Sequence, residues 1–339
     1  MATTRKLVVA VDETESSQVA FLWVLHNLAR HSDHIVIFNA APYVGSQFSD
    51  ADIANEYLLP SLASEQVAEA AEKEVTERSM SIVNRCLAKC QELGFSCEGE
   101  VVKGEPGSWI IDESERLDAD VVVVGCREAG LITRTLFGSV GENVLHNALC
   151  PVVIVRPAEK LQDSLVTERS RNIVIAVDDS KEAAGAFVWA LQNFCRVTDK
   201  VTIYHVHKSS VPSITSSVTG EFGIEDVYLT PDTTDEMEVK ALTDSEKLVE
   251  KFMSYVSDES KISCQGMVVT GQTEEMICKG LVGLEADAVV LGTHEKGVVA
   301  RTFLGSVSDY LAHESPCPVI VVKQKKDSAA KSSSHKHTS

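Results

Sequence analysis

The amino-acid sequence predicts an α/β protein made of two tandem, doubly wound sandwiches, each built on a five-stranded parallel sheet. A chain of 339 residues is too long for one ordinary core and suits two domains of about 150 residues each. The chain also repeats itself at a nearly constant offset, which indicates two copies of one architecture. Within each copy, runs that are apolar on both faces alternate with helical patterns, as in a parallel sheet covered on both sides.

The repeat is clearest in one loop and in the first apolar run. The segment GCREAGLITRTLFGSV at 125–140 recurs as GTHEKGVVARTFLGSV at 292–307, an offset of 167. Near the start of each copy, LVVAVD at 7–12 matches IVIAVD at 173–178, an offset of 166. Because the offset changes by only one residue along the copy, both halves should share the same order of elements.

The first part of a copy contains three predicted strands and two helices. The apolar run at 7–11 predicts a strand, and apolar residues at helical spacing predict a helix over 16–28. A second apolar run predicts a strand at 35–40. The amphipathic stretch 65–93 predicts a long helix, which leads into a third strand at 97–102.

The second part of a copy completes the sheet. Apolar residues at helical spacing predict a helix over 108–117, and the run VVVV predicts a buried strand at 121–124. A helix is expected at 140–147, directly after the glycine loop. The β-branched run at 152–155 then predicts the fifth strand.

The domain boundaries follow from the ends of the two copies. A polar stretch outside either repeat is interpreted as a linker, and a serine- and lysine-rich end without apolar periodicity is expected to be disordered. Two stretches between a second strand and a long helix, 44–64 and 209–240, are interpreted as surface excursions. The predicted divisions are domain 1 at 1–157, the linker at 158–170, domain 2 at 171–324 and the tail at 325–339.

Composition and charge exclude several classes of partner. The net charge of −19 opposes attraction to nucleic acid or to an anionic membrane surface. No apolar run reaches the roughly 18 residues of a membrane helix, and the first apolar run is too short for a secretory signal. Nine cysteines without scaffold-like spacing favour reduced thiols and no metal site. A cytoplasmic protein without nucleic-acid or membrane partners is expected.

The candidate site lies where strands end and helices begin. In an open parallel sheet, ligands bind beyond the carboxyl ends of the strands, where the strand order reverses. Asp12 and Asp178 follow the first strand of each copy, and the glycine loop follows the fourth. That loop enters a helix at Gly138-Ser139 or Gly305-Ser306, and a helix N-terminus favours phosphate. The alternative is that Ser139 and Ser306 are plain N-caps.

Several enzyme classes lose support. Leu131 and Val298 stand where the lysine of a phosphate-binding loop would be required, and no glycine-rich dinucleotide fingerprint follows the first strand. No nucleophile with a nearby base, no paired carboxylates and no metal triad emerge, so no catalytic residue is assigned. Slow ATP hydrolysis is the most that is conceivable, and a small-molecule enzyme is the weakest hypothesis.

The repeated pattern resembles the universal stress protein family, whose fold is adenine nucleotide alpha hydrolase-like. Its nucleotide-binding members carry glycine, two residues, glycine, nine residues, then glycine and serine or threonine before a helix. The resemblance covers about residues 5–157 and 171–324 and includes AVD at the end of the first strand. It implies that the first and fourth strands are neighbours, and that the fifth strands, 152–155 and 319–322, meet edge to edge between the domains.

The resemblance also implies site residues. In ATP-binding relatives the aspartate contacts the adenine and ribose end, a backbone position ending the second strand contacts adenine, and the glycine loop with Gly-Ser holds the phosphates. Carried over to this sequence, the first-half positions are Asp12, Ala40, Gly125, Gly138, Ser139 and Val140. The second-half positions are Asp178, Val206, Gly292, Gly305, Ser306 and Val307.

The departure from the family pattern is the middle glycine, replaced here by Glu128 and Glu295. These carboxylates either point to solvent and permit binding, help to hold magnesium at the phosphates, or exclude nucleotide. The leading hypothesis is a tandem universal stress protein that binds ATP, possibly with Mg, or AMP or ADP, and adjusts contacts with unknown protein partners. The alternative is a nucleotide-free scaffold in which the halves form a built-in dimer. Domain pairing within the chain or a homo-oligomer is expected in either case.

Overall fold

The computed structural model describes residues 4–41, 65–126, 138–156, 169–208, 231–256, 262–293 and 304–323. The strands form one ten-stranded sheet in the order β3-β2-β1-β4-β5-β10-β9-β6-β7-β8. The first half contributes β1 Lys6–Ala10, β2 His34–Ala41, β3 Ser96–Lys103, β4 Val121–Gly125 and β5 Val152–Val155. The second half contributes β6 Asn172–Ala176, β7 Lys200–His207, β8 Ser263–Thr270, β9 Ala288–Gly292 and β10 Val319–Val322.

Helices cover the sheet on both faces. In the first half these are α1 Glu15–Trp23, which continues as a turn of π-helix over Val24–Leu28, then α2 Glu65–Glu92, α3 Pro106–Arg116 and α4 Ser139–Asn147. In the second half they are α5 Lys181–Asn193, α6 Pro231–Ser254, α7 Thr273–Gly283 and α8 Ser306–Glu314. None of the helices in the described ranges combines the length and apolar character that crossing a membrane requires.

The predicted elements of the first copy are all present, with ends that differ by one or two residues. Two expectations need correction. The predicted helix over 16–28 is α-helical only to Trp23, because its last turn widens into π-helix. The interpretation of 209–240 as a surface excursion is wrong for its last ten residues, since α6 begins at Pro231, a residue well suited to a first helical position.

The two halves join through their fifth strands. Within each half all strand pairs are parallel, whereas β5 and β10 pair antiparallel, with Val153 opposite Ile320. The edge-to-edge meeting of 152–155 and 319–322 is therefore confirmed. These β-branched residues are almost fully buried, and the pairing removes two apolar strand edges that would otherwise be exposed.

Each face of the sheet has its own apolar cluster. Alternate residues of β4 belong to the two clusters. Val121 and Val123 lie on the face that α1 and α2 cover, and Val122 and Val124 lie on the other face. Burial of each such side chain contributes about 1.5 to 3 kcal/mol. Because both clusters contain residues of both halves, the halves share one packed interior.

Reciprocal arginines reinforce this pairing. Arg5 forms an ion pair with Asp33 at 2.6 Å and donates through Nη1 to the carbonyl of Asn193 in the other half, at 2.9 Å. Arg171, which matches Arg5 at an offset of 166, donates through Nη1 to the carbonyl of Asn27, also at 2.9 Å. The two halves are thus related by an approximate twofold symmetry.

Candidate functional site

The strand order brings the ends of β1, β2 and β4 together. β1 pairs with β2 on one side and with β4 on the other, and Leu7 lies opposite both Ile35 and Val121. In the second half β6 has the same two neighbours, β7 and β9. The expected adjacency of the first and fourth strands is confirmed. A crevice at this carboxyl edge is the position where open α/β sheets bind ligands.

Asp12 shapes the turn that leaves β1. Its Oδ1 accepts a hydrogen bond from the Thr14 backbone N–H at 2.8 Å, and the Ser17 hydroxyl donates to its carbonyl at 3.0 Å. In the second half the Ser180 N–H donates to Asp178 Oδ1 at 3.1 Å. Thr14 and Ser180 then serve as the N-caps of α1 and α5. The aspartates therefore hold the turn at the crevice in a fixed shape.

The Asn39 side chain, next to Ala40, links the second strand to that turn through a hydrogen bond. Asn39 is buried and donates through Nδ2 to the Val11 carbonyl at 2.7 Å. Its Oδ1 is buried and has no hydrogen-bond partner in the described part of the chain. Ala40 itself lies at the rim of the apolar cluster.

In the second half a histidine makes the hydrogen bond that Asn39 makes in the first half. His205, which matches Asn39 at an offset of 166, donates through Nδ1 to the Val177 carbonyl at 2.8 Å. Val206, the counterpart of Ala40, is buried with 8% of its surface exposed. Neither Asn39 nor His205 was predicted from the sequence, although their positions next to Ala40 and Val206 in the two copies could have indicated them.

Gly125 and Gly292 are required by packing whether or not a ligand binds. A Cβ on Gly125 would lie 2.6 Å from the Ser16 carbonyl oxygen, and one on Gly292 would lie 2.5 Å from that of Glu182. The end of the fourth strand therefore packs directly against the first turn of the helix that follows the first strand. Gly138 differs, because a Cβ there meets no described atom within 4 Å. Among the described residues, none packs against this position at the start of α4.

The start of α4 has no side-chain cap. Its N-cap is Gly138, and Ser139 is its first helical residue, with an exposed side chain. The start of α8 has the same arrangement, with Gly305 as the cap and Ser306 first in the helix. The interpretation of Ser139 and Ser306 as N-caps is therefore wrong. Because glycine has no side chain, the first-turn N–H groups receive no oxygen from the cap residue and can bind an anion.

The start of α4 lies on the same side of the sheet as the other site residues. Val140 packs against the same apolar cluster as Ala40, and Val307 does so in the second half. A Cβ on Gly107, at the start of α3, would lie 2.6 Å from Asn143 Nδ2 in α4. Since α3 starts directly beyond the carboxyl end of β3, the first turns of α4 lie at the carboxyl edge.

Comparison with known proteins identifies the fold and the repeat. A model of the universal stress protein family matches residues 3–156 and, a second time, residues 169–323. The chain belongs to the universal stress protein family. It carries two universal stress protein repeats in tandem, as the family resemblance of its sequence implied.

Relatives of this universal stress protein include single-repeat and full-length proteins. A universal stress protein of Synechocystis is 31% identical over 159 residues, 44% of this chain and 97% of the relative. One of Mycolicibacterium smegmatis is 24% identical over 323 residues, 95% of this chain and 98% of the relative. The crystal structure of a universal stress protein from Archaeoglobus fulgidus is 20% identical, covers 95% of this chain and 98% of that chain, and has a TM-score of 0.60.

The two universal stress protein repeats differ at the helix start. In the second half, the Ser306 hydroxyl donates to Glu274 Oε1 at 3.0 Å. The matched position in the first half is Gly107, which has no side chain. Glu128, Glu295 and the rest of the glycine loops, at 127–137 and 294–303, lie outside the described residues.

Proposed function

We propose that this tandem universal stress protein binds ATP, with or without Mg, or the related nucleotides ADP or AMP, at the carboxyl edge of its sheet. Nucleotide occupancy then adjusts its contacts with partner proteins in a stress response. The observation that carries the proposal is the convergence of Asp12, Ala40 and Gly125 at the ends of three neighbouring strands, next to a helix start without a side-chain cap. The outer glycines keep the family's nucleotide-binding spacing.

The proposed site residues form two groups, one for the ribose and adenine and one for the phosphates. Asp12 and the backbone of Ala40 bind the ribose and adenine, and in the second half Asp178 and Val206 take those positions. Gly125, Gly138, Ser139 and Val140 are the proposed phosphate positions, and their counterparts in the second half are Gly292, Gly305, Ser306 and Val307. Glycine without a side chain allows close approach of phosphate oxygens, while the N–H groups of the helix start carry the partial positive charge.

The net charge makes these local groups essential. A chain with net charge −19 repels a polyphosphate at long range. Binding must therefore come from oriented N–H groups and hydroxyls close to the ligand. Such groups discriminate adenine nucleotides from other anions only when the adenine is also bound. The residues at the ends of β1 and β2 are proposed to bind it.

The cellular setting of the proposal is the cytoplasm. All nine cysteines are free thiols in the structure, which suits a reducing compartment. Slow ATP hydrolysis is compatible with binding, but no described residue is assigned to activate a water molecule. The function proposed is therefore binding rather than catalysis.

The test is a count of bound nucleotides on the full chain. Native mass spectrometry with Mg-ATP, ADP or AMP at millimolar concentration should show added nucleotide mass. Asp12→Asn should weaken binding at least tenfold, because it removes the charge that binds ribose while its amide oxygen can still accept the bond from Thr14. Asp112→Asn, in an exposed position of α3, is the control and should bind as the natural chain does. No bound nucleotide would leave the nucleotide-free scaffold as the function.

A further inference from the structure

The helix starts that the proposed function assigns to phosphate differ between the two halves. The Glu274 carboxylate, in the first turn of α7, accepts the Ser306 hydroxyl at the start of α8 at 3.0 Å. The bond joins residues 32 apart on different helices. A hydroxyl has one proton to donate, so Ser306 cannot bond Glu274 and a phosphate oxygen as donor at the same time.

In the described residues of the first half, no carboxylate bonds the serine at the start of α4. Its matched position, Gly107, packs so closely against Asn143 that even a Cβ would lie 2.6 Å from the amide nitrogen. The nearest acidic neighbour in sequence, Glu105, is bound to the start of its own helix, where it accepts from the Gly107 and Ser108 N–H groups at 3.0 and 2.7 Å. The Ser139 hydroxyl at the start of α4 is exposed.

No lysine or arginine of the described residues pairs with the Glu274 carboxylate. Its neighbour Glu275 pairs with Lys279 at 3.7 Å. Within the described part of the chain, the Glu274 carboxylate therefore lies beside the Ser306 hydroxyl without a paired lysine or arginine.

The acidic residues in the first turns of α4 and α8 match each other in the two halves. α4 has Glu142 in its first turn and α8 has Asp309 at the matched position. Each faces a histidine across the seam, His313 at 3.7 Å and His146 at 3.8 Å respectively. Among the described residues, a carboxylate that accepts a hydrogen bond from the serine at the helix start is found only in the second half, as Glu274.

We infer that the two halves are not equivalent, and that the first half alone is a polyphosphate site while Glu274 excludes phosphates from the second. This inference rests on the proposed function. The carboxylate stands in for the anion at the start of α8 and repels a second one. Like charges about 4 Å apart at a protein surface weaken binding by roughly tenfold to a thousandfold.

The experiment compares ATP binding by the natural chain, Glu274→Gln and the matched control Glu275→Gln. Glutamine keeps the size of the side chain and can still accept the Ser306 hydroxyl, so the fold should be unaffected, as an unchanged Tm will verify. Native mass spectrometry should count one tightly bound ATP per natural chain and per control chain. Glu274→Gln should bind a second ATP at least tenfold more tightly than the natural chain does.

Two further measurements locate the site and the cause. Ser139→Ala should weaken binding of the one ATP in the natural chain, whereas Ser306→Ala should not. Adenosine, which has no phosphate, should bind Glu274→Gln and the natural chain equally, because the repulsion acts on phosphate.

Each outcome has a distinct meaning. Two ATP of similar affinity on the natural chain, no gain in Glu274→Gln, or loss of the ATP with Ser306→Ala would each overturn the inference and leave the proposed function standing. No ATP on any variant would overturn the proposed function itself. An equal gain with adenosine would show that Glu274 acts on the fold of the site rather than on phosphate.

Discussion

The two halves of the chain have the same architecture but different chemistry at the starts of α4 and α8. Their strands run in mirrored order on either side of the β5–β10 seam, and even their cross-seam contacts are reciprocal. Lys323 donates to the carbonyls of Leu145 and Ala148 at the end of α4, and Arg156 donates to that of Ala312 near the end of α8. Cations at helix C-terminal carbonyls are favourable on both sides.

The difference teaches that the fold does not determine the site. The packing glycines are needed in both halves, at Gly125 and Gly292, because the same backbone contact recurs. At the position beside the helix start the halves differ, because Gly107 packs against Asn143 whereas Glu274 accepts the Ser306 hydroxyl. A repeat can therefore keep its shape while one copy changes its ligand preference.

The largest expected effect comes from removing the reciprocal arginines, which contact the opposite half of the chain. Arg171→Met should destabilise the protein by about 3 to 5 kcal/mol, because Asp199, whose side chain is 1% exposed, would lose its partner. Arg5→Met should cost less, because the Arg5 side chain is twice as exposed, at 12% against 6%. Urea denaturation measures both, with the exposed Arg85→Met as control. Equal losses in all three variants would contradict a specific stabilising role of Arg5 and Arg171.

The next effect tests the packing glycines. Gly125→Ala and Gly292→Ala should each destabilise by about 1 to 3 kcal/mol, because the added Cβ collides with a backbone carbonyl. Gly138→Ala should change stability by under about 1 kcal/mol, since its Cβ would meet no described atom within 4 Å and only the weaker capping by alanine remains as a cost. Thermal denaturation without nucleotide checks this. A large loss in Gly138→Ala would mean that the helix start is closed.

A third effect sharpens the comparison at the glycine loops. Glu128→Gly should tighten ATP binding about tenfold, because it removes a carboxylate from the loop of the accessible half. Glu295→Gly should do little by itself and should tighten binding only together with Glu274→Gln. Titration calorimetry with Mg-ATP measures each variant. Equal tightening by both single variants would mean that the halves are equivalent.

The smallest effect is the pH dependence of one cap. Although partial desolvation acts in the opposite direction, hydrogen bonds from the Ser108 and Gly107 N–H groups lower the pKa of Glu105. A lowered folded-state pKa stabilises the protein above the unfolded pKa, near 4.3, and this contribution is lost as the pH falls through the folded value. Glu105→Gln should therefore cost under about 1 kcal/mol at pH 7 and less at pH 3, where part of the contribution of the charged carboxylate is lost. Unfolding at the two pH values measures the difference, and an equal cost at both would contradict the charge effect.

Much of the fold could be predicted because its signals are local or repeated. Apolar runs located the strands, and the offset between copies showed that any element of one half recurs in the other. The predictions were less accurate at the ends of helices, where local composition and packing together determine which residue begins or ends the element. The start of α6 at Pro231 was missed because the first part of that helix is polar and follows a stretch rich in serine and glycine.

The candidate site could be predicted only in part. Asp12 and Gly125 were found from their places after apolar runs and from the family pattern. The capping role of Ser139 was predicted wrongly, because the choice between Gly138 and Ser139 as the cap depends on the backbone angles at the end of the loop. Asn39 was missed because its partner, the Val11 carbonyl, lies 28 residues away.

By itself, the sequence determined the α/β repeat, the strand positions, the glycine spacing and the negative charge, since each is a property of neighbouring residues or of a comparison between copies. Only the tertiary structure decided which side chains meet. It brought Glu274 to Ser306, packed Gly125 against Ser16 and tied Asn39 to Val11. Such contacts join distant parts of the chain, and their geometry depends on how helices and strands pack rather than on any local pattern of residues.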